Sequence, residues 1–213
     1  MLGAVKTVKK ARPRYQVVLG TQPPPAYLRP LKQPLYDTSQ YPVDGAGVNS
    51  LSFFQVPQGQ VLAGAVNKTA IHTNMTQAGQ LGTPNQFDVF GFQIKFPVNI
   101  VQADYDGLVN NGVFSFYFGQ NRPWLIVPLI YVPSGVGKDG IVSTTVGATT
   151  LSTYRNGVAH VSNYLNFTVG KNPIRIHSNE SFSVRLDFPT TVPVLTAATN
   201  LAVYMLGIYY SSL

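Results

Sequence analysis

Five basic side chains lie close together near the start of the chain, and their spacing suggests one kind of chemistry. They are Lys6, Lys9, Lys10, Arg12 and Arg14, and residues 1–36 contain no acidic residue. Such a cluster is suited to a polyphosphate, because each phosphate that it contacts releases condensed counterions. We predict that it binds nucleic acid. An acidic protein patch, a membrane surface and a merely solvated tail remain alternatives.

The charge of the chain is divided unequally between this arm and the rest. The formal net charge is +7, with 15 basic and 8 acidic residues, and seven of the basic ones precede residue 37. The remainder is therefore neutral. Only 11% of all residues are charged, against about 25% in typical domains. A surface this poor in charge suggests extensive contact with other protein, although a polar surface rich in Thr, Asn, Gln and Ser is the alternative.

A proline-rich segment follows the basic cluster. Prolines recur between residues 23 and 42, and proline fixes φ and removes a hydrogen-bond donor, so this segment should be extended. The large apolar side chains between the prolines make it too apolar for a free linker. We predict a strap that lies along its own body or a neighbouring subunit, with the contact residues Tyr27, Leu28, Leu31, Leu35 and Tyr36.

Few residues have the spacing of a metal site. Asp104 and Asp106 precede Gly and Asn residues and could offer oxygens to Ca²⁺, but the stretch lacks the EF-hand spacing and its final glutamate. A loop at residues 104–112 explains the same residues, because Asp, Asn and Gly favour turns. We predict no metal and no cofactor, with calcium at these two aspartates as a weak candidate. The absence of cysteine excludes disulfides and thiol catalysis.

No group of residues predicts catalysis. The histidines His72, His160 and His177 are far apart and match no metal-binding spacing, and no G-x-S-x-G motif occurs. Residues 135–140 contain a Gly-Lys pair, but they lack the first glycine and the Ser or Thr of a phosphate-binding loop. We therefore predict a surface loop there and a protein that is not an enzyme. No apolar run is long enough to span a membrane as a helix.

The elements that carry these residues are predicted to be strands. Apolar and polar residues alternate with period 2 in residues 90–96, 113–118 and 181–188, and this period is typical of half-buried strands. Residues 124–131 are apolar on both faces, which suggests burial or an interface, and Pro128 favours an edge or a bulge. No window has a helical apolar stripe free of Gly and Pro. We predict an all-β antiparallel sandwich of about eight strands, with jelly-roll or other Greek-key connections.

The chain resembles a known class of proteins in this overall pattern. The basic arm, the proline-rich segment, the cysteine-free sandwich, and the strands in 174–188 and 201–207 resemble single jelly-roll capsid proteins of tailless icosahedral viruses, including bacteriophages. The resemblance covers about residues 50–213 and rests on no short diagnostic motif. It implies an extended arm at residues 1–45, a jelly-roll domain at residues 46–213, and a coat subunit that packs beside copies of itself and other capsid proteins.

The resemblance also carries expectations about partners and location. The arm is expected to face inward towards the viral genome or an internal membrane, in a virion protein made in the host cytoplasm, and no small-molecule substrate is expected. An alternative function is a carbohydrate- or receptor-binding sandwich, such as a lectin-like module or virion spike. In that alternative the rings of Trp124, Tyr154 and Tyr164 would stack on sugars, and Asp104 and Asp106 would hold calcium.

Overall fold

The structure, a computed structural model, describes residues 24–43, 48–62, 66–97, 99–119, 122–133, 137–146, 149–157, 165–166 and 173–212. These residues form an antiparallel β-sandwich of two sheets with one short α-helix. The prediction of an all-β antiparallel sandwich is thereby confirmed. Among the described residues no helix has the length and apolar character needed to cross a membrane.

The elements follow one another in the chain as strands with few interruptions. The strands are β1 (Arg29–Leu31), β2 (Leu35–Tyr41), β3 (Ser50–Phe53), β4 (Val61–Leu62), β5 (Val66–Asn67), β6 (Gln86–Lys95), β7 (Val113–Phe118), β8 (Pro123–Pro128), β9 (Gly137–Val146), β10 (Thr149–Gly157), β11 (Leu165–Asn166), β12 (Ile174–Ile176), β13 (Phe182–Asp187) and β14 (Thr199–Ser211). Helix α1 (Gln102–Asn111) lies between β6 and β7, and a 3₁₀ helix (Leu129–Tyr131) follows β8.

The first sheet is built around the long strand β14. On one side β14 pairs with β2 and, further along, with β1; on the other side it pairs with β6. Strands β11 and β12 both pair with β6, one after the other along its length. The second sheet has the order β3-β13-β7-β8. The two sheets hold ten described strands where about eight were predicted, because β14 and β6 each pair with two strands in succession along one side.

Alternation along the strands fills the space between the sheets. In residues 182–188 the side chains of Phe182, Val184, Leu186 and Phe188 are all buried, as the period-2 pattern predicts. Across the sandwich, the Phe92 ring of β6 lies 5.1 Å from the Phe114 ring and 5.0 Å from the Phe116 ring, measured between centroids. Aromatic packing between β6 and β7 therefore joins one sheet to the other.

The alternation predicted for β6 is interrupted at Phe90. Val89 pairs with Gly207 and Gly91 pairs with Leu206, so Phe90 is an extra residue between two paired positions. This is a β-bulge, and it lets Phe87 and Val89 face the core together with Phe92. The period-2 alternation predicted for residues 90–96 places Phe90 on the same face as Phe92, and this was wrong, because the bulge interrupts the alternation and leaves Phe90 half-buried.

Two further predictions about loops were also wrong. Residues 102–111 form helix α1 instead of a loop. The side chains of Leu108 and Val109 on this helix are buried. Residues 135–140 were predicted to be a surface loop, but strand β9 begins at Gly137 and forms an antiparallel hairpin with β10. Both elements have weak local signals, since Gly and Asn lower helix propensity and Gly lowers strand propensity. Packing and strand pairing outweigh those local preferences.

The bulge makes Gly207 intolerant of a side chain. A Cβ atom at this position would lie 2.0 Å from the backbone oxygen of Asp88 and 2.6 Å from the Phe87 ring. Gly207→Ala should therefore lower the free energy of unfolding by about 1–3 kcal/mol, the usual cost of overpacking. Urea unfolding followed by circular dichroism measures this loss.

A matched control for this prediction is Gly82→Ala. A Cβ atom there would have its nearest neighbour at 3.6 Å, an ordinary contact distance. The change at Gly82 should alter stability by less than about 0.5 kcal/mol, like most surface substitutions. Equal losses for the two variants would contradict the proposed steric conflict at the bulge.

Candidate assembly surface and placement of the predicted sites

Strand β8 forms an edge of the second sheet, and its outward side chains are apolar. Among the described residues it pairs with β7 and no other strand, and a proline stands at each end. Pro128 was predicted to mark an edge or a bulge, because proline lacks a backbone N–H, and β8 is the edge strand in the order β3-β13-β7-β8. Trp124 is 50% exposed and Ile126 is 60% exposed.

The apolar surface continues onto the 3₁₀ helix. Ile130 is 63% exposed and Tyr131 is 67% exposed, whereas Leu129 between them and β8 is buried. The backbone N–H of Leu129 donates to the Gly112 oxygen at 2.8 Å, which fixes the short helix against the end of α1. We call Trp124, Ile126, Ile130 and Tyr131 the edge patch.

The edge patch is held in place and carries no charge. The Trp124 ring stands edge-on to the Phe118 ring, with centroids 6.1 Å apart, so the indole is supported by the sheet. Residues 123–137 contain no Lys, Arg, Asp or Glu. Exposed apolar side chains are common on any protein, but four within eight residues of an uncharged segment favour a protein-contacting surface.

A groove of about 460 Å³ lies at the C-terminal end of β7. Tyr117, Phe118, Gln55, Ser183 and Arg185 are among its lining residues. The Arg185 guanidinium donates to the Ser50 hydroxyl at 3.1 and 3.3 Å and lies 5.7 Å from the centroid of the Tyr117 ring. Aromatic faces beside amide, hydroxyl and guanidinium groups can bind a polar ligand such as a sugar.

The predicted strap residues separate into two groups. Leu28 and Leu35 are buried in this chain's own body, and Tyr36 stacks on Tyr204 with centroids 5.8 Å apart. Tyr27 and Leu31 are exposed. Residues 29–31 and 35–41, placed in the arm by the predicted boundary at residue 45, are strands β1 and β2 of the first sheet. Contact with another subunit stays a prediction, and Tyr27 and Leu31 are the strap residues available for it.

The predicted polyanion-binding residues lie outside the described part of the chain. These are Lys6, Lys9, Lys10, Arg12 and Arg14, and the description begins at residue 24. The inward direction of the arm and its binding to polyanion therefore stay predictions.

The structure does not bring Asp104 and Asp106 together as a calcium site. They are two residues apart on α1, and positions two apart do not share a helix face. Asp104 is buried, and its carboxylate accepts hydrogen bonds from the Thr196 N–H and the Thr196 hydroxyl, at 3.0 and 2.7 Å to Oδ2. Asp104 thus ties α1 to the segment before β14. Within the described residues no three His, Asp or Glu side chains form a metal-binding group.

The remaining sequence candidates are dispersed. The ring nitrogen Nδ1 of His72 accepts from the Thr69 N–H within one turn, and the His177 N–H donates to Glu180. His160 and Tyr164 lie outside the described residues, and so does the side chain of Tyr154. Of the three rings predicted to stack on sugars, Trp124 is the one that the structure places, on the edge patch.

Asp37 and Lys68 form a buried ion pair that no sequence pattern predicted. The Lys68 ammonium lies 2.6 Å from Oδ1 of Asp37, and both side chains are buried. Oδ2 of Asp37 accepts from the Phe54 N–H at 2.6 Å. Burial raises the pKa of the Asp37 carboxyl, and Lys68, the Phe54 amide and the Thr73 hydroxyl oppose part of that increase. Asp37 and Lys68 are 31 residues apart, so no local pattern signals the pair.

A second ionic cluster lies on β6 and β12. The Arg175 guanidinium makes two hydrogen bonds to the Asp88 carboxylate at 2.7 and 2.8 Å, and the Tyr210 hydroxyl donates to the same carboxylate at 3.0 Å. The hydrogen bond with Asp88 raises the pKa of Arg175, and burial raises the pKa of Tyr210. The cluster holds β12 to β6 and β14, which is a structural role.

Comparison with known proteins adds no relative. No protein-family model, no curated protein and no solved structure matches this chain.

Proposed function

We propose that this chain is a capsid coat subunit that self-assembles into an icosahedral shell. Its body is a single jelly roll, and its basic arm faces the interior. The observation that carries this proposal is the order in which the strands pair. The protein acts by association and has no catalytic role.

The pairing is nested. Taking β2, β3, β6, β7, β8, β12, β13 and β14 as the eight principal strands, the first pairs with the eighth, the second with the seventh, the third with the sixth, and the fourth with the fifth. A long hairpin that rolls over onto itself to form two sheets would have this order, and the nested pairing therefore supports the proposal of a jelly roll. Strand β1 pairs with β14, as the first principal strand does, and β11 pairs with β6, as the sixth does.

The charge distribution supports a coat role over an isolated soluble domain. The body from residue 37 onward has eight basic and eight acidic residues, so identical bodies can lie side by side without net repulsion. The excess positive charge is confined to the arm, where it would compensate phosphate. The uncharged edge patch is exposed apolar surface that contact with other protein would bury.

Assembly is tested by expressing the full chain and examining it by electron microscopy and analytical ultracentrifugation. Closed shells or symmetric oligomers are the expected result. A chain that stays monomeric at 23.2 kDa across high protein concentrations, with and without nucleic acid, would overturn the proposal.

The arm should carry the polyanion binding. Deleting residues 1–14 removes five positive charges, and five phosphate contacts correspond to a slope of about −4.5 for log affinity against log salt concentration. The deletion should therefore weaken binding to a short DNA duplex and flatten its salt dependence. The melting temperature of the body should stay unchanged. Fluorescence anisotropy over a salt series measures the affinity.

The control for arm length is a full-length variant with Lys6, Lys9, Lys10, Arg12 and Arg14 all replaced by Gln. It should match the deletion, because the charge and not the length of the arm binds phosphate. Unchanged DNA affinity in both variants would contradict the role of the arm. Vesicles containing phosphatidylserine, tested in parallel, distinguish nucleic acid from an internal membrane as the target.

A carbohydrate- or receptor-binding sandwich is the second candidate, and the groove beside Tyr117 is the observation that favours it. A glycan array with the wild-type chain, Tyr117→Ala and Ser183→Ala tests this function. Binding that is lost in both variants would favour it. Absence of glycan binding, together with shell formation, would favour the coat subunit.

A further inference from the structure

We propose that the groove at the C-terminal end of β7 binds a sugar that carries a carboxylate, and that Arg185 binds this carboxylate. The inference rests on the second candidate function, carbohydrate binding, and adds to it the class of ligand. It places no requirement on how subunits assemble, so it is independent of the coat role.

The groove lies where three connections between strands meet at one end of the sandwich. Gln55 comes from the connection after β3, Gly119 from the connection after β7, and Ser181 from the connection before β13. The Gly119 N–H donates to the Ser181 oxygen at 2.8 Å. The Phe182 N–H donates to the Gly79 oxygen at 2.8 Å, and the Phe182 oxygen accepts from Nε2 of Gln55 at 3.2 Å. Because these bonds form the groove before a ligand arrives, binding costs less conformational entropy.

The groove has one charged side chain and several neutral polar ones. Among the described lining residues, Arg185 is the one that carries a charge, and none is Asp or Glu. The lining also has the carboxamides of Gln55 and Gln80 and the hydroxyls of Ser181 and Ser183. Amides and hydroxyls can pair with the hydroxyl groups of a sugar, and a single guanidinium can pair with a single carboxylate. A polyphosphate would need several cations.

The Arg185 guanidinium is fixed in position and keeps hydrogen-bond donors for a ligand. Its Nε and Nη2 donate to the Ser50 hydroxyl at 3.3 and 3.1 Å, and its Cζ lies 5.7 Å from the centroid of the Tyr117 ring. Within the described part of the chain, Nη1 has no hydrogen-bond partner. Oδ1 of Asp187 is 3.6 Å from Nη2, which is beyond hydrogen-bond distance, and 43% of the Arg185 side chain is exposed. A carboxylate that enters the groove can therefore accept from both Nη1 and Nη2.

Two acidic sugars and their neutral derivatives test the class of ligand. Sialyllactose has its carboxylate on a sialic acid, and a hyaluronan tetrasaccharide has its carboxylates on glucuronic acids. The methyl ester of each sugar removes the negative charge and leaves the rest of the molecule unchanged. In isothermal titration calorimetry with the full chain, at least one acid should bind, and its ester should bind at least about tenfold more weakly, because charge-assisted hydrogen bonds are the stronger ones. The acid that binds identifies the source of the carboxylate.

Substitutions at Arg185 test the contact itself. Arg185→Gln should weaken binding of the acid by about tenfold or more and leave binding of the ester unchanged. Arg185→Lys keeps the charge but not the planar pair of donors, so it should restore only part of the affinity. Arg29→Gln makes the same change at an exposed arginine of the first sheet and should bind like the wild type. Circular dichroism melting curves confirm that each variant is folded, and the comparison of acid with ester needs no variant.

The outcomes separate this inference from the proposed functions. Equal affinity for acid and ester, or equal affinity of wild type and folded Arg185→Gln for the acid, would overturn the carboxylate contact and leave carbohydrate binding standing. If neither acid binds to the dissociated chain or to assembled shells, the inference fails, and the coat function stands wherever shells form. If an acid binds with the expected preference but the chain never assembles, the coat function fails and the inference stands.

Discussion

Replacing Lys68 with methionine should lower the free energy of unfolding by about 3–5 kcal/mol, because it leaves the buried Asp37 carboxylate without its counter-charge. The ammonium of Lys68 and Oδ1 of Asp37 are 2.6 Å apart, and neither side chain has appreciable contact with water. Domains of this size have a total stability of about 5–15 kcal/mol. The expected loss is thus a large share of the total free energy of unfolding. Urea unfolding measures this loss.

Two further variants identify the cause of that loss. Lys95→Met changes a partly exposed lysine on β6 and should cost less than about 0.5 kcal/mol. The double variant Asp37→Asn/Lys68→Met removes both charges but keeps a side-chain oxygen for the Phe54 N–H, and it should recover much of the loss. If the double variant were as unstable as the sum of the single variants, the two side chains would not be coupled.

The loss in Lys68→Met should also depend on pH. Burial raises the pKa of the Asp37 carboxyl above its ordinary value of 3.8, and without Lys68 a contribution that lowers it is gone. Below 3.8 the carboxyl is protonated in both the folded and the unfolded chain, so the penalty is absent. Between 3.8 and the raised pKa of the folded state the unfolded chain has lost this proton whereas the folded chain still holds it, so stability falls as the pH rises through that interval. The difference from wild type should therefore be greatest at neutral pH.

Phe92→Ala should cost about 3–5 kcal/mol, the usual range for removing a buried phenylalanine. The Phe92 ring is fully buried and contacts the rings of Phe114 and Phe116 in the opposite sheet. Its loss would leave a cavity between the sheets that neighbouring strands can close only in part. The free energy of unfolding in urea, followed by circular dichroism, measures the effect.

The matched control is Phe90→Ala, on the same strand. Phe90 is half-buried at the bulge and does not lie in the row of core side chains. Its truncation should cost less than half as much as that of Phe92. Similar losses of unfolding free energy for Phe90→Ala and Phe92→Ala would contradict the bulge, which places the two side chains in different environments.

Local pattern was sufficient for several elements of the fold. The alternation in residues 182–188 identifies β13 and its inward side chains, because period-2 burial is a property of any extended strand with one face on a core. Pro128 indicated the edge position of β8 for an equally local reason, since proline lacks the N–H that an inner strand must donate. The confinement of positive charge to the arm is likewise read directly from the residues.

Other features depended on contacts between residues far apart in the chain. Helix α1 has little helical signal of its own, and it is held by burial of Leu108 and Val109 and by the bond from Thr196 to Asp104. The bulge at Phe90 follows from the register with β14, which begins more than a hundred residues later. The pairing of Asp37 with Lys68 follows from the way β2 meets the segment after β5.

The sequence by itself therefore determined the class of fold, the strand faces and the separation of charge from the body. The tertiary structure decided which strands are neighbours, where the edge patch lies, and which strap residues are buried in the chain's own core. The physical reason is that alternation and charge are local properties of the chain. Strand order, register and exposure depend on pairings between distant segments, and a residue's immediate neighbours do not specify them.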